Sequence, residues 1–114
     1  MTIDTIITAL KNVSGPWNTR VYRDYPPSFV IYPVAAIYTL FEPDISYGDG
    51  KGMKTFKDVF NIDVWTKGNI ETCKSKMRTA MYALGVSVQQ ANYREIPEIG
   101  GITHLVFEYE VIGG

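Results

Sequence analysis

The sequence has one cysteine and one histidine, and its charges nearly cancel. A single cysteine, Cys73, cannot form an internal disulfide, so the fold must hold by packing alone. With one histidine, His104, and no second His or Cys beside it, the three or four converging ligands of a zinc centre are missing. Eleven Lys and Arg against twelve Asp and Glu leave a net charge of −1, which supplies no field to draw in nucleic acid or an anionic membrane. Partners are therefore expected to be recognised by shape. The longest apolar run, FVIYPVAAIYTLF over 29–41, is shorter than the roughly 18 residues that suggest a membrane span and is interrupted by Pro33. It reads as a buried strand. The N-terminal MTIDTIITALK has an aspartate where a secretory signal carries basic residues and no small-residue cleavage site, so no export is expected. Repeats, low-complexity tracts and linkers are also missing from the pattern.

What is present suits one globular unit spanning 1–114. A chain of 114 residues is of ordinary domain size and buries a core without staples. Hydrophobic residues at 46% and charged residues at 20% argue against disorder. Aromatics reach 13%, with eight tyrosines; most fall where strands are expected, while Tyr25 and Tyr47 fall in turns and are candidates for contacts with another chain.

Hydrophobic spacing lays out the elements. Ile3, Ile6, Ile7, Leu10 and Val13 recur with helical period, with Thr2 positioned to cap the first turn and Ser14-Gly15-Pro16 to end the helix. A brief strand around Arg20 to Arg23 is closed by Pro26 and Pro27 and belongs at an edge. The stretch from Phe29 to Leu40 is apolar at odd and even positions, so both faces are expected to be covered, with Pro33 marking an irregularity. From Lys54 to Lys67 the chain is again extended; Phe60, Ile62 and Val64 alternate with Asn61, Asp63 and Trp65, the mark of a half-buried strand. These two strands are expected to form a long antiparallel hairpin. A second helix follows, opened by Gly68 and Asn69 as cap and closed by Gly85, with Ile70, Cys73, Met77, Ala80, Met81 and Leu84 on one stripe. Two more extended segments flank a turn at Pro97 to Gly101; in the last, Leu105, Phe107, Tyr109 and Val111 face one way, and His104, Glu108 and Glu110 the other. The expected fold is α+β: an antiparallel sheet of four to five strands with a long hairpin and two helices on one face.

The hairpin tip, GDGKGMKT over 48–55, is one residue away from a phosphate-binding loop, with Met53 where the second glycine belongs. That loop requires a helix immediately afterwards, whose N–H groups hold the phosphates. FKDVFNIDVW has no helical stripe, so the segment is expected to be a turn rich in free backbone angles, and a place where partners make contact. Cys73 lies on an apolar stripe and reads as a buried structural thiol. His104, Glu108 and Glu110 share a strand face that reads as solvated or interfacial, and nothing marks a pocket that would separate the pKa values of the two glutamates. No Ser-His-Asp arrangement stands out. No catalytic, cofactor-binding or metal residue is assigned.

The segments ITALKN, RVYRDYPPSFVIYPVAAIYTLFEPD, TFKDVFNIDVWTKG, NIETCKSKMRTAMYAL and GGITHLVFEYEV, in that order, resemble the small tail completion or tail terminator proteins of long-tailed bacteriophages and prophages. The most diagnostic pieces are Pro27-Ser28-Phe29-Val30 and Asp63-Val64-Trp65-Thr66-Lys67, and the resemblance covers nearly the whole chain. It implies a non-enzymatic, cofactor-free part of the virion tail, assembled in the host bacterial cytoplasm. Such a part forms a homo-oligomeric ring, commonly a hexamer, that halts polymerisation of the tail tube protein and faces the head connector protein. The glycine-rich loop and near-neutral charge depart from some relatives. In this setting the strand edges and the loop are expected to be poorly protected in a monomer and covered on ring closure. Asp44, Tyr47, Asp49, Lys51 and Lys54 are expected at subunit contacts or the ring lumen. The alternative is a small α+β ligand-binding or enzymatic domain using the cleft between helix and sheet, which would need convergent titratable groups in a pocket.

Overall fold

Thr2 begins the first helix as its sequence position suggests: its hydroxyl accepts a hydrogen bond from the Thr5 amide at 3.2 Å. In the structure, a computed structural model that describes residues 2–27, 31–41, 57–85 and 88–112, this helix is α1 (Ile3–Asn12). It is followed by β1 (Val21–Arg23), β2 (Val34–Phe41), β3 (Lys57–Thr66), α2 (Ile70–Tyr82), β4 (Val88–Pro97) and β5 (Thr103–Ile112). The five strands form one sheet in the order β1-β2-β3-β5-β4, the α+β arrangement expected.

One strand departs from expectation. β2 with β3, β3 with β5, and β4 with β5 are antiparallel, but β1 runs parallel to β2, with Val21 opposite Ala35 and Arg23 opposite Ile37. The sheet is therefore mixed. The parallel pairing is fixed by Ala35 N donating to Arg20 O and Asp24 N to Ile37 O, both at 2.9 Å. Arg20 reinforces it from the side: its guanidinium donates to Pro33 O at 2.9 Å and Pro16 O at 3.1 Å, tying the approach to β2 against the approach to β1. β2 also begins later than the apolar run suggests, at Val34, after a cis Tyr32–Pro33 peptide, because proline has no N–H to give a ladder. The expected hairpin pairing holds from Val34↔Trp65 to Phe41↔Val59, with a register shift between Thr39 and Phe41.

Both helices pack on one face of the sheet. Ile6 and Leu10 of α1, and Cys73, Met77, Ala80 and Met81 of α2, meet Ala35, Ile37, Phe60, Ile62, Val64, Leu105, Phe107, Tyr109 and Val111 in one core. Trp17 closes the end of α1: it is wholly buried, and its indole N–H donates to Leu10 O at 2.8 Å, satisfying a carbonyl that the helix end leaves without an intrahelical donor. Gly15 makes room for the ring. At the start of α2, Asn69 is not the side-chain cap the sequence suggests. Its backbone is left-handed, φ 59, and its side chain makes no cap hydrogen bond, because side-chain capping needs an extended backbone at that position. Gly85, φ +121, ends the helical segment as expected.

Candidate functional site

Val34, Ala36 and Val106 are buried but stand outside the helix-side core. They mark the second face of the sheet, on which neither helix packs. The alternation of side chains puts Asn61, Asp63 and Trp65 of β3 and His104 of β5 on that face too. Asn61 and Asp63 are each only 6% exposed, so β3 is covered on both sides rather than half-buried as its polar–apolar alternation suggests. Polarity in the sequence reports chemistry, not cover.

The polar side chains there form a connected cluster. β3 and β5 place Trp65 directly opposite His104, with Asp63 opposite Val106 one step along, so Asp63 and His104 are diagonal neighbours. His104 Nε2 lies 3.1 Å from Asp63 Oδ2, and Nδ1 lies 3.2 Å from Oε2 of Glu98, at the β4–β5 turn. The imidazole stacks on the Trp65 ring, with centroids 4.5 Å apart and planes 16° from parallel. Next along the face, Asn61 Nδ2 donates to Tyr38 Oη at 3.0 Å. Burial pushes the Tyr38 hydroxyl above its ordinary pKa, the Asn61 bond opposes this, and the Asp63 charge adds to the rise.

His104 thus has different partners from those its strand offered. Glu108 and Glu110 share its face, but four and six residues along a strand are about 13 and 20 Å. Asp63 and Glu98 reach it instead. The signal for Asp63 was an acidic residue in mid-strand at a position whose cross-strand neighbour is set only by register.

The five residues expected at contacts, Asp44, Tyr47, Asp49, Lys51 and Lys54, lie outside the described residues. Lys57 opens strand β3, two residues after Thr55, where a phosphate loop needs a helix. Tyr25, the other tyrosine expected at contacts, is 83% exposed. Among the described residues, two grooves lie elsewhere: one between the helices, lined by Ala9, Asn12, Val13, Thr79, Ala80 and Ala83, and one at the end of α2, lined by Tyr82, Gly85, Val88 and Gln89. Among the described residues, neither lining brings an acid and a base together. Cys73 is wholly buried in the core, and desolvation raises its thiol to about 11, so the expected structural thiol is what is found.

The sheet edges are better protected than expected. Parallel pairing turns Arg20 O and Asp24 N toward β2 and leaves Val21 and Arg23 facing outward. Val21 N is taken by Thr19 O, and Arg23 O by Tyr25 N, each at 2.9 Å. At the other edge, Glu98 N donates to Ile102 O at 2.8 Å, which sets the ladder parity: Asn92, Arg94 and Ile96 bond to β5, while Tyr93, Glu95 and Pro97 point their backbone outward. Pro97 has no N–H, and Tyr93 N is occupied by Asn92 Oδ1 at 2.8 Å. A register shift between Gln90 and Asn92 bends the strand further. These are the devices by which sheet proteins keep edges from pairing.

No family model matches the chain, and no curated protein matches it. Solved structures do share the fold. A chain from the virion of a native gene transfer agent particle superposes with a TM-score of 0.56 at 18% identity, covering 95% of this chain and 92% of that one. A second solved protein, of no stated function, gives a TM-score of 0.52 at 13% identity, covering 100% of this chain and 97% of its own. The fold of this chain, nearly end to end, is thus one that a virion component also adopts.

Proposed function

We infer that the chain is a structural protein of a phage-like virion, and that it acts as a tail completion or terminator protein. In this reading copies of the chain close into a ring, a hexamer, at the head-proximal end of the tail. The ring stops growth of the tail tube and gives the head connector a surface to bind. One observation carries the proposal: the similarity to the gene transfer agent virion chain spans almost the full length of both chains compared. The ordered motifs that resemble tail terminators support it.

Blunted edges at β1 and β4 direct assembly away from continuous sheet pairing. Asp44, Tyr47, Asp49, Lys51 and Lys54, between β2 and β3, are the proposed contacts. Loops on a rigid sheet are a usual place for recognition. Reversing charge with Lys51→Glu and Lys54→Glu should lower the oligomer mass measured by light scattering; an unaltered mass removes these lysines from the interface. The function itself is tested by adding the protein to a polymerising tail tube protein. Tubes should stop growing and carry a ring at one end in electron micrographs. Tubes of unchanged length with bare ends would refute the proposal.

A further inference from the structure

Ile99 stands where a turn has little use for it. It follows Glu98 at the tip of the β4–β5 hairpin and is 94% exposed, more than any other large apolar side chain among the described residues. Turns favour Gly, Pro, Asn, Asp and Ser, whose backbones or short polar side chains suit a reversal. A β-branched apolar side chain held out in water adds nothing to the fold, and a local rule broken without gain in stability marks a surface with another use.

Exposed apolar side chains are common singly; this one is set apart by how firmly its turn is held. Glu98 N donates to Ile102 O at 2.8 Å. Gly100 and Gly101 take left-handed φ of +83 and +75, and a Cβ on either would meet open space, so these glycines serve the bend and not packing. From the sheet, His104 Nδ1 lies 3.2 Å from Glu98 Oε2, and stacking on Trp65 fixes the plane of the imidazole. The His104 cluster thus anchors the turn. A side chain presented on backbone that is already ordered loses little freedom when it docks, which strengthens a contact.

The same chain carries a groove of matching character. The one between α1 and α2 holds about 300 Å³ and is walled largely by small side chains, Ala9, Ala80 and Ala83 among them. Lys76 lies one turn before Ala80 on the same side of α2. Among the described residues it makes no ion pair, since Glu71 is taken by Lys74 and Asp4 by Arg23. The protruding side chain therefore has a carboxylate beside it, Glu98, 39% exposed, and the groove has an ammonium beside it. We propose that the Ile99 turn of one copy seats in the α1–α2 groove of a second copy, with Glu98 facing Lys76. The choice of a second copy as occupant rests on the ring assembly inferred above. Turn and groove are different surfaces, so the contact runs head to tail and repeats from copy to copy until a ring closes.

The test is disulfide trapping between full-length chains. Cys73 is wholly buried and can stay, with the wild-type chain run alongside. A chain carrying Ile99→Cys is mixed with a chain carrying Ala83→Cys under mild oxidant and separated on a non-reducing gel. Both positions are exposed, so neither substitution disturbs the core. A band of two 12.8 kDa chains should form several times faster in the mixture than in either chain alone. Glu98→Lys in the first chain should slow the linkage severalfold, and Lys76→Glu in the second should restore it; a charge needed only within its own chain would not be rescued from another. With both cysteines in one chain, trapping should build a ladder beyond two copies. The proposal is overturned if the mixture links no faster than the single chains, if Tyr25→Cys links to Ala83→Cys as fast as Ile99→Cys does, or if the charge exchange restores nothing. Failure of the ring reads differently. Linkage in the mixture with a ladder that stops at two copies keeps this contact and removes the ring, whereas a ring by mass without linkage removes the contact and keeps the ring.

Discussion

A methyl group added at Gly15 tests how tightly the end of α1 is built. Built on the backbone, that carbon falls 2.7 Å from Trp17 Cζ2 and 2.8 Å from Cε2, where carbon atoms in contact normally stand about 3.5–4.0 Å apart. Two effects compete. Gly15 is not among the residues with positive φ, so alanine fits its backbone, and restricting the unfolded chain would by itself stabilise the protein by about 0.4–1 kcal/mol. Against this, Trp17 is wholly buried and its indole is tied to Leu10 O at 2.8 Å. The ring cannot retreat without disturbing that bond, and overpacking of this kind costs about 1–3 kcal/mol. The steric term wins. Gly15→Ala should be less stable by about 1–2 kcal/mol in urea unfolding followed by tryptophan fluorescence, with the thermal midpoint lower by about 4 °C for each kcal/mol. In a Trp17→Leu background the added methyl meets no ring, so the loss should vanish and the double-mutant cycle should show coupling of at least about 1 kcal/mol. Equal or greater stability of Gly15→Ala, or a loss that persists without the indole, refutes the reasoning.

Met77, wholly buried under α2, should cost about 2–5 kcal/mol when cut to alanine, whereas Thr72→Ala on the exposed side of the same helix should stay within about 0.5 kcal/mol; equal losses would mean that the buried stripe is assigned to the wrong face. Burial holds the proton on Cys73, with the thiol raised from 9.0 to about 11, and on Tyr109, raised from 10.0 to about 12. Both groups are neutral when protonated and keep that proton longer when folded, so their contribution is complete below pH 9 and is lost as pH climbs through 9 to 12. Alkaline unfolding should therefore flatten in Cys73→Ala, and the native thiol should resist alkylation near pH 8; rapid labelling would contradict its burial. Replacing Asn92 with valine and Pro97 with threonine frees outward N–H groups on β4, so sedimentation velocity should show new concentration-dependent association. An unchanged profile would mean that the edge is protected by something other than these residues.

The elements set by local chemistry were legible before the structure. Thr2 caps α1, Gly85 ends α2, and Cys73, Met77, Ala80 and Met81 face the core, because caps and helical period act within a few residues. Direction and cover were not legible. The residues of β1 carry the same pattern whether they run with or against β2; the choice rests on Arg20, whose guanidinium grips carbonyls at Pro16 and Pro33. Asn61 and Asp63 looked like solvent-facing positions, because alternation shows which residues share a face and not what lies over it. The candidate site was half visible: His104 stood out as the only histidine, but its link to Asp63 depends on the register between β3 and β5, and its link to Glu98 on the shape of a turn. Asn69 is left-handed and not a side-chain cap, and the two kinds of asparagine look alike in a sequence.

Native mass spectrometry of the purified chain tests the central claim, ring assembly in a virion tail, most directly. Six copies of a 12.8 kDa chain give about 77 kDa, and a closed ring predicts a species at that mass, or at another whole multiple with a central opening in electron micrographs, when the protein is concentrated or offered tail tube ends. A species that stays at 12.8 kDa under both conditions would contradict the account.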